Sequence, residues 1–305
     1  MSAFIFRRFI SMLFVLFCVV TITFFLIRLA PGGPFDRERK VPKAIEQQLL
    51  AKYKLDGPLT SQYGDYLKDL LHGDLRLSTK YRNRTVNELL AQTLPVTITL
   101  GLAAFVIATI GGVWLGCLAA VRHNTAVDTG AMLAAMFAIS IPTFVSGPLL
   151  ILIFGLKLGW LPVGGWGGWR NLVLPALTLA GPYVAYIARL MRSSMLEVLG
   201  ADFIRTARAK GLGETRIIYK HAVKIAILPV VSFLGPLAAN LLTGSMVVET
   251  IFNIPGAGGF FVNSIQNRDG FLLGGVVIVY CSMLVVLNLV VDVGYTWLDK
   301  RIKLF

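Results

Sequence analysis

The 305-residue chain is poor in charge and in reactive side chains: Asp, Glu, Lys and Arg make up 15% of it, and it has three histidines and three cysteines. So little charge beside 56% hydrophobic residues excludes an ordinary soluble domain and indicates a protein that uses lipid as its solvent. His72, His123 and His221 fall in loops or at the edges of apolar runs, so no Ser-His pair can be assembled inside a membrane, which argues against an intramembrane hydrolase. There is no His-Glu-x-x-His and no Cys/His cluster, which removes the metal-site readings. Cys18, Cys117 and Cys281 each sit within an apolar run without a partner at ligand spacing and read as small buried hydrophobes. No Gly is followed by Lys, so the phosphate-cradling G-x-x-x-x-G-K-[ST] loop is absent and ATP cannot be bound by that route. The expectation is a chain that is not an enzyme and carries no cofactor.

What is present is apolar length. Runs able to cross a bilayer occur at about 9–29, 96–121, 131–155, 172–191, 225–248 and 271–297, each meeting the roughly 20-residue requirement of a spanning helix. Arg7 and Arg8 precede the first run. Its core is longer than a signal peptide's and ends in "IRLAPGGP" without an A-x-A-like site, so an uncleaved anchor is expected. The net charge of +13 could suggest nucleic acid, but the cations lie in short loops beside apolar runs, where the positive-inside rule places them. Nucleic acid is therefore not an expected partner.

One side collects Arg7, Arg8, Arg122, seven cations over 192–224, and Lys300, Arg301 and Lys303; the other side's short loops hold Lys157, Arg170 and Arg268. With six spans, both termini and the basic loops are expected in the cytoplasm. The loop 30–94 carries 11 Lys and Arg and eight acids, but it exceeds the length over which the rule operates. Ile45, Leu49, Leu50 and Tyr53, then Tyr63, Tyr66, Leu67, Leu70 and Leu71, recur at helical spacing around breaks at Gly57-Pro58 and Gly73. Two or three short amphipathic helices on the external face are expected there.

Other features carry a bland and a sharp reading each. Trp160, Trp166 and Trp169 in "GWLPVGGWGGWRN" suit an interfacial aromatic belt or a substrate-facing lip. Pro142, Pro148, Pro175, Pro182, Pro229 and Pro236 fall within the spans, where each removes a donor and kinks its helix. Arg28, Arg189, Glu249 and Asp292 lie near span ends. They read as interfacial or snorkelling side chains rather than as a proton relay.

The stretch "GADFIRTARAKGLGETRIIYKHAVKIAILP", 200–229, holds six of the 29 cations. Residues 201–210 form a short amphipathic helix with Phe203, Ile204 and Ala207 on one face and Arg205 and Arg208 on the other. Gly211 and Gly213 interrupt it before a second helix begins at Glu214. The result is an elbow with a small-residue corner at Ala207, Ala209 and Gly211. It suits either a lipid-surface segment or a docking knob for a soluble protein, and the residues alone do not separate the two.

"FIRTARAKGLGETRIIYKHAVKIAILPVVSFLGPLAANLLTGSMVVETIFNIPG", together with "FLIRLAPGGPF", "HGDL" and "SIPTFVSGPLL", resembles the permease subunits of ATP-binding-cassette importers, in their oligopeptide and dipeptide branch. The resemblance covers nearly the whole chain. The family's Glu-Ala-Ala, followed four residues later by Gly, reads here as Arg205-Thr206-Ala207 and Gly211. What it implies is an all-α membrane protein of six transmembrane helices with the type I importer permease fold, set multi-pass in the bacterial cytoplasmic (inner) membrane.

The implied layout is an anchor helix over 1–29, an external loop over 30–94, a five-helix core over 95–297 with a coupling segment at 200–224, and a cytoplasmic tail over 298–305. The coupling loop would be Arg205, Thr206, Ala207, Arg208, Ala209, Lys210, Gly211 and Gly213. Implied partners are a second similar permease, two ATPase subunits that use ATP and Mg, an external peptide-binding protein, the peptide substrate and membrane lipid. The competing class is a stand-alone channel or secondary transporter with a lipid-binding cytoplasmic loop.

Overall fold

The computed structural model describes residues 2–29, 43–244 and 246–298. The segment 30–42, Ser245, the tail from 299 with Lys300, Arg301 and Lys303, and the side chain of Asp292 lie outside the described residues. Regular structure in the described residues is helical, apart from one antiparallel bridge between Leu77 and Thr85.

The helices are α1 (Ser2–Leu29), α2 (Lys43–Lys52), α3 (Leu59–Leu71), α4 (Val86–Val121), α5 (Ala126–Ser140), α6 (Thr143–Leu150), α7 (Trp169–Leu199), α8 (Asp202–Ala209), α9 (Glu214–Arg216), α10 (Val223–Ala226), α11 (Leu228–Leu242), α12 (Met246–Ile251), α13 (Gly258–Gln266) and α14 (Gly270–Leu298). Two π-helical stretches, Ile151–Lys157 and Ile217–Ala222, continue α6 and join α9 to α10.

Four of the expected spans are single helices: Phe6–Leu29, Val86–Val121, Trp169–Leu199 and Gly270–Val290. The other two are bent. The third turns by 110° between Ala126–Ser140 and Thr143–Lys157, and the fifth by 51° between Glu214–Ala226 and Leu228–Leu242. Counting each bent pair as one span gives six. The apolar run 131–155 is therefore not one straight crossing: Ile141, ahead of Pro142, takes an extended backbone (φ −88°, ψ 117°), the region favoured for a residue before proline. Pro229 stands in the first turn of α11, where its missing N–H costs nothing. Pro175 and Pro182 lie inside the unbroken α7, so not every proline breaks its helix.

The chain divides into two compact units, 1–96 with 256–289 and 97–255 with 290–303. In the first, Val86, Leu89 and Leu90 pack with Ala257, Phe271, Leu272 and Val276. Helix α3 lays Tyr66, Tyr63, Leu67 and Leu70 against Val20 and Phe24 of α1. The expected α3 face is thus correct except for Leu71, which is exposed at the helix end. In the second unit, small residues let helices touch: a Cβ at Gly112 would come within 2.6 Å of Ile187 Cβ, and one at Gly116 within 2.7 Å of Met191 Cβ. This is the small-xxx-small approach that packs helices where lipid removes the hydrophobic drive. α7 is brought by this contact to the point where its C-terminal end launches the elbow.

Candidate coupling elbow

α7 ends at Gly200, and α8 starts one turn later with Asp202 in its first turn. Ile204 is fully buried and Ala207 is 8% exposed, so this face packs on the chain's own return stretch, where Ile217 and Ala222 are buried. Phe203, expected on the same inward face, is exposed. The helical period allowed either grouping, and the return of the chain along Ile217 selects Ile204 and Ala207.

The helix stops by a Schellman arrangement. The N–H of Leu212 donates to Ala207 O at 3.3 Å, and the N–H of Gly211 to Arg208 O at 2.9 Å, with Gly211 at φ +74°. These bonds satisfy carbonyls that the last helical turn leaves over. Gly211 is needed for its backbone: a Cβ there would meet nothing within 4 Å, and a left-handed φ is what glycine adopts without strain. Across the turn, Arg208 clamps Glu214 with Nε to Oε1 at 2.7 Å and Nη2 to Oε2 at 3.2 Å. That bond and charge raise the Arg208 pKa above the ordinary arginine value. Arg205 reaches Asp202 at 3.4 Å with both side chains largely in solvent, a weak pair.

Of the expected coupling residues, Arg205, Thr206, Arg208, Ala209, Lys210, Gly211 and Gly213 are exposed, whereas Ala207 is buried. The small-residue corner therefore presents Ala209 and Gly211, and Ala207 acts as the spacer that lets α8 sit close to the return stretch. Arg216, Lys220 and Lys224 are exposed as well, while Asp202 and Glu214 are already engaged by arginines. The outward face is cationic, interrupted by a bare glycine turn, and stiffened from behind.

A second anchor was not anticipated. Asp128, on α5 and 3% exposed, receives Arg192 Nε on Oδ1 at 2.6 Å and Arg192 Nη2 on Oδ2 at 2.7 Å. The N–H of Asn124 also donates to it at 3.0 Å, and His123 Nδ1 lies 3.1 Å away. This bidentate, mostly buried pair ties the end of α7, eight residues before the elbow, to α5. In the sequence Arg192 counted only toward topology; an acid in the first turn of α5 was the available signal.

Glu249 corrects the interfacial expectation. It is 1% exposed and accepts a 2.7 Å hydrogen bond from Thr97 Oγ1, beneath Gly244 at φ +81°, where a Cβ would collide with Thr97. Trp160, Trp166 and Trp169 are exposed, and Arg170 Nη2 donates to Trp160 O at 2.6 Å. No group of three or more His, Cys, Asp or Glu side chains gathers at ligand geometry among the described residues.

Comparison with known proteins identifies the family. The family described as "Binding-protein-dependent transport system inner membrane component" matches residues 112–304. The "Oligopeptide transport system permease protein OppB" of Haemophilus influenzae is 46% identical over 99% of this chain and 100% of that protein, and the protein of the same name from Salmonella typhimurium is 47% identical over the same shares. The "Dipeptide transport system permease protein DppB" of Bacillus subtilis is 44% identical over 100% of this chain and 99% of its own. Among solved structures, the inward-facing MetNI methionine ABC transporter aligns over 69% of this chain and 94% of the matched one, with a TM-score of 0.47 at 16% identity; so loose a likeness carries no structural inference. Six apolar spans, an all-helical fold and end-to-end identity of this order leave one assignment: the chain belongs to the binding-protein-dependent transport system inner membrane components, as a multi-pass permease of the oligopeptide and dipeptide branch of ABC importers.

Proposed function

We propose that this chain forms half of a pathway for oligopeptide uptake, paired with a second similar permease, and that its elbow at 200–224 docks on one of two ATPase subunits that hydrolyse ATP with Mg. An external peptide-binding protein delivers the substrate, and both termini face the cytoplasm. The observation that carries this reading is the elbow's build. An exposed cationic turn with a bare glycine corner is held rigid by buried Ile204 and Ala207, by the Schellman bonds and by the Arg208–Glu214 clamp. A segment that only touched lipid headgroups would need charge but not this stiffness.

Mechanically, a rigid elbow works as a lever. When nucleotide closes the ATPase pair, the displacement of α8 passes back into α7, and Asp128–Arg192 carries it to α5 instead of letting α7 slip. The bends at Pro142 and at Ile227–Leu228 are the places where packed helices change direction, and helices joined at such breaks can reorient without melting. Access then alternates because two packings of the helices exist and nucleotide binding favours one of them.

The test uses the assembled complex. Ala209→Glu places an acid on the exposed corner with no interior contact to lose. It should lower uptake of defined peptides by about tenfold or more, a loss of roughly 1.4 kcal/mol or more of docking, while the amount of inserted permease stays unchanged. Wild-type uptake by that variant in a verified complex would remove the docking role. ATPase subunits should co-purify with the wild-type chain; their absence would favour the stand-alone transporter.

A further inference from the structure

Arg76 sits where a guanidinium has too few acceptors. The residue is 8% exposed. Its Nε donates to Asp69 Oδ2 at 2.7 Å, and both Nη1 and Nη2 are buried without a hydrogen-bond partner among the described residues. The two Nη groups carry four of the five guanidinium donors, and buried charged donors left unmade are costly. The backbone is unfavourable as well: Arg76 has φ +69°, a conformation rare for a residue with a side chain. It is held by its own N–H donating to Asp74 Oδ1 at 2.8 Å.

Arg28, in the last turn of α1, repeats the problem with its Nε, which is likewise buried and has no partner among the described residues. Both guanidiniums lie over the Phe271 ring, at 5.8 Å for Arg28 and 5.5 Å for Arg76. Arg28 also covers Phe24 at 5.3 Å, and Arg76 covers Tyr66 at 5.6 Å. Aromatic faces attract cations but supply no lone pairs for N–H groups.

The neighbouring acids are already committed. Asp69 takes Arg76 Nε and Lys54 Nζ, the latter at 3.4 Å. Asp74 takes the Arg76 amide. Asp269 accepts from Ser78 Oγ and from the N–H groups of Thr79, Lys80 and Leu272. Burial pushes the Tyr66 phenol up to about 12 against the pull of both arginines, so it stays neutral. Among the described residues the cluster is cationic and short of one anion, with Arg76 buried and Arg28 half-buried.

Its depth indicates which anion. The apolar helix Phe6–Leu29 has 24 residues and so runs about 36 Å, slightly more than the ~30 Å hydrocarbon core. Arg28, next to its end, therefore lies at the level of the lipid headgroups, where every glycerophospholipid presents a phosphodiester. A guanidinium fork matches phosphate oxygens in geometry as well as in charge.

We propose that Arg28 and Arg76 form a phosphate-binding site, that its occupant at this depth is the phosphodiester of a membrane phospholipid, and that this lipid fastens the end of α1 to the segment around α3. The site belongs to the first unit and the elbow to the second, and the proposal does not rest on the uptake reading.

The purified full-length chain, delipidated in detergent, is titrated with phosphatidylglycerol, with diacylglycerol of the same acyl chains, and with inorganic phosphate, and bound species are counted by native mass spectrometry. One phosphatidylglycerol is retained where diacylglycerol is not, and Arg76→Gln or Arg28→Gln weakens that retention by about tenfold or more. Inorganic phosphate bound by the wild type and lost in Arg76→Gln, with no preference for phosphatidylglycerol over diacylglycerol, assigns the site to free phosphate and overturns the lipid. Equal retention of both lipids with no phosphate binding overturns the site altogether, as does unchanged phosphatidylglycerol affinity in a monodisperse Arg76→Gln chain. The comparison of lipids is made on the wild type, so a poorly folded variant cannot hide the answer.

Discussion

Two arginine-rich regions of this chain manage charge in opposite ways. At the elbow, Arg208 is exposed, bidentate on Glu214 and replaceable by water. Between α3 and α4, Arg76 lies against Tyr66 and Phe271 and is left with unused donors among the described residues. The same residue type acts as a surface latch in one place and supplies the proposed phosphate-binding group in the other. The difference comes from burial, because a guanidinium in water loses nothing when its partner leaves, whereas an enclosed one must be given an acceptor. Asp128–Arg192 is the intermediate case, enclosed and fully paired.

That ordering can be broken by mutation. The largest effect is expected for Asp128→Ala, which strips the acceptor from Arg192, His123 and the Asn124 amide at once. It should destabilise the detergent-solubilised chain by about 3 kcal/mol, read as a lower thermal midpoint. An unchanged midpoint would mean that enclosure does not govern these pairs. Next comes Gly211→Ala, which forces a side chain into φ +74° and should cost about 1 kcal/mol. Gly211→Asn, whose side chain tolerates that region, should cost clearly less, and equal losses would show that Gly211 serves contact rather than backbone geometry.

A smaller effect is expected in acid. Burial alone would raise the Asp69 pKa, but the hydrogen bond and charge of Arg76, with Lys54, outweigh it and hold it below its ordinary value of 3.8. A depressed carboxylate stabilises the fold above that value, and the contribution disappears as pH falls through the lowered one. Asp69→Asn should therefore remove part of the loss of stability seen between pH 4 and lower pH; an identical acid profile would remove Asp69 from the cluster's support. The smallest effect is at the surface latch, where Glu214→Gln should leave the thermal midpoint within measurement error.

How far the sequence foretold these contrasts varies with the range of the interaction. Span positions were legible because about 20 apolar residues in a row is a composition that few other structures use. The elbow's place was legible from Gly211, Gly213 and the cations around them. The exposure of Phe203 was not, since the helical period groups Phe203, Ile204 and Ala207 on one face but the returning Ile217 decides which of them are covered. The 110° turn was marked by Pro142 but not measured by it. Its angle depends on packing such as that of Gly147, where a Cβ would stand 3.3 Å from Ile251 and 3.5 Å from Thr178. Glu249 looked interfacial because its partner Thr97 is 152 positions away. Arg76 looked like one more cation in a long loop, and only the fold brings Tyr66 and Phe271 around it.

A cross-linking experiment tests directly whether the elbow's exposed corner meets an ATPase subunit, as proposed. With Cys18, Cys117 and Cys281 exchanged for serine, Ala209→Cys carries a short thiol-reactive cross-linker in membranes that contain the assembled transporter. The account predicts a covalent adduct between this chain and the ATPase subunit, with a yield that changes when nucleotide is added. An adduct with lipid alone, or none with the ATPase subunit while peptide uptake proceeds normally, would contradict it.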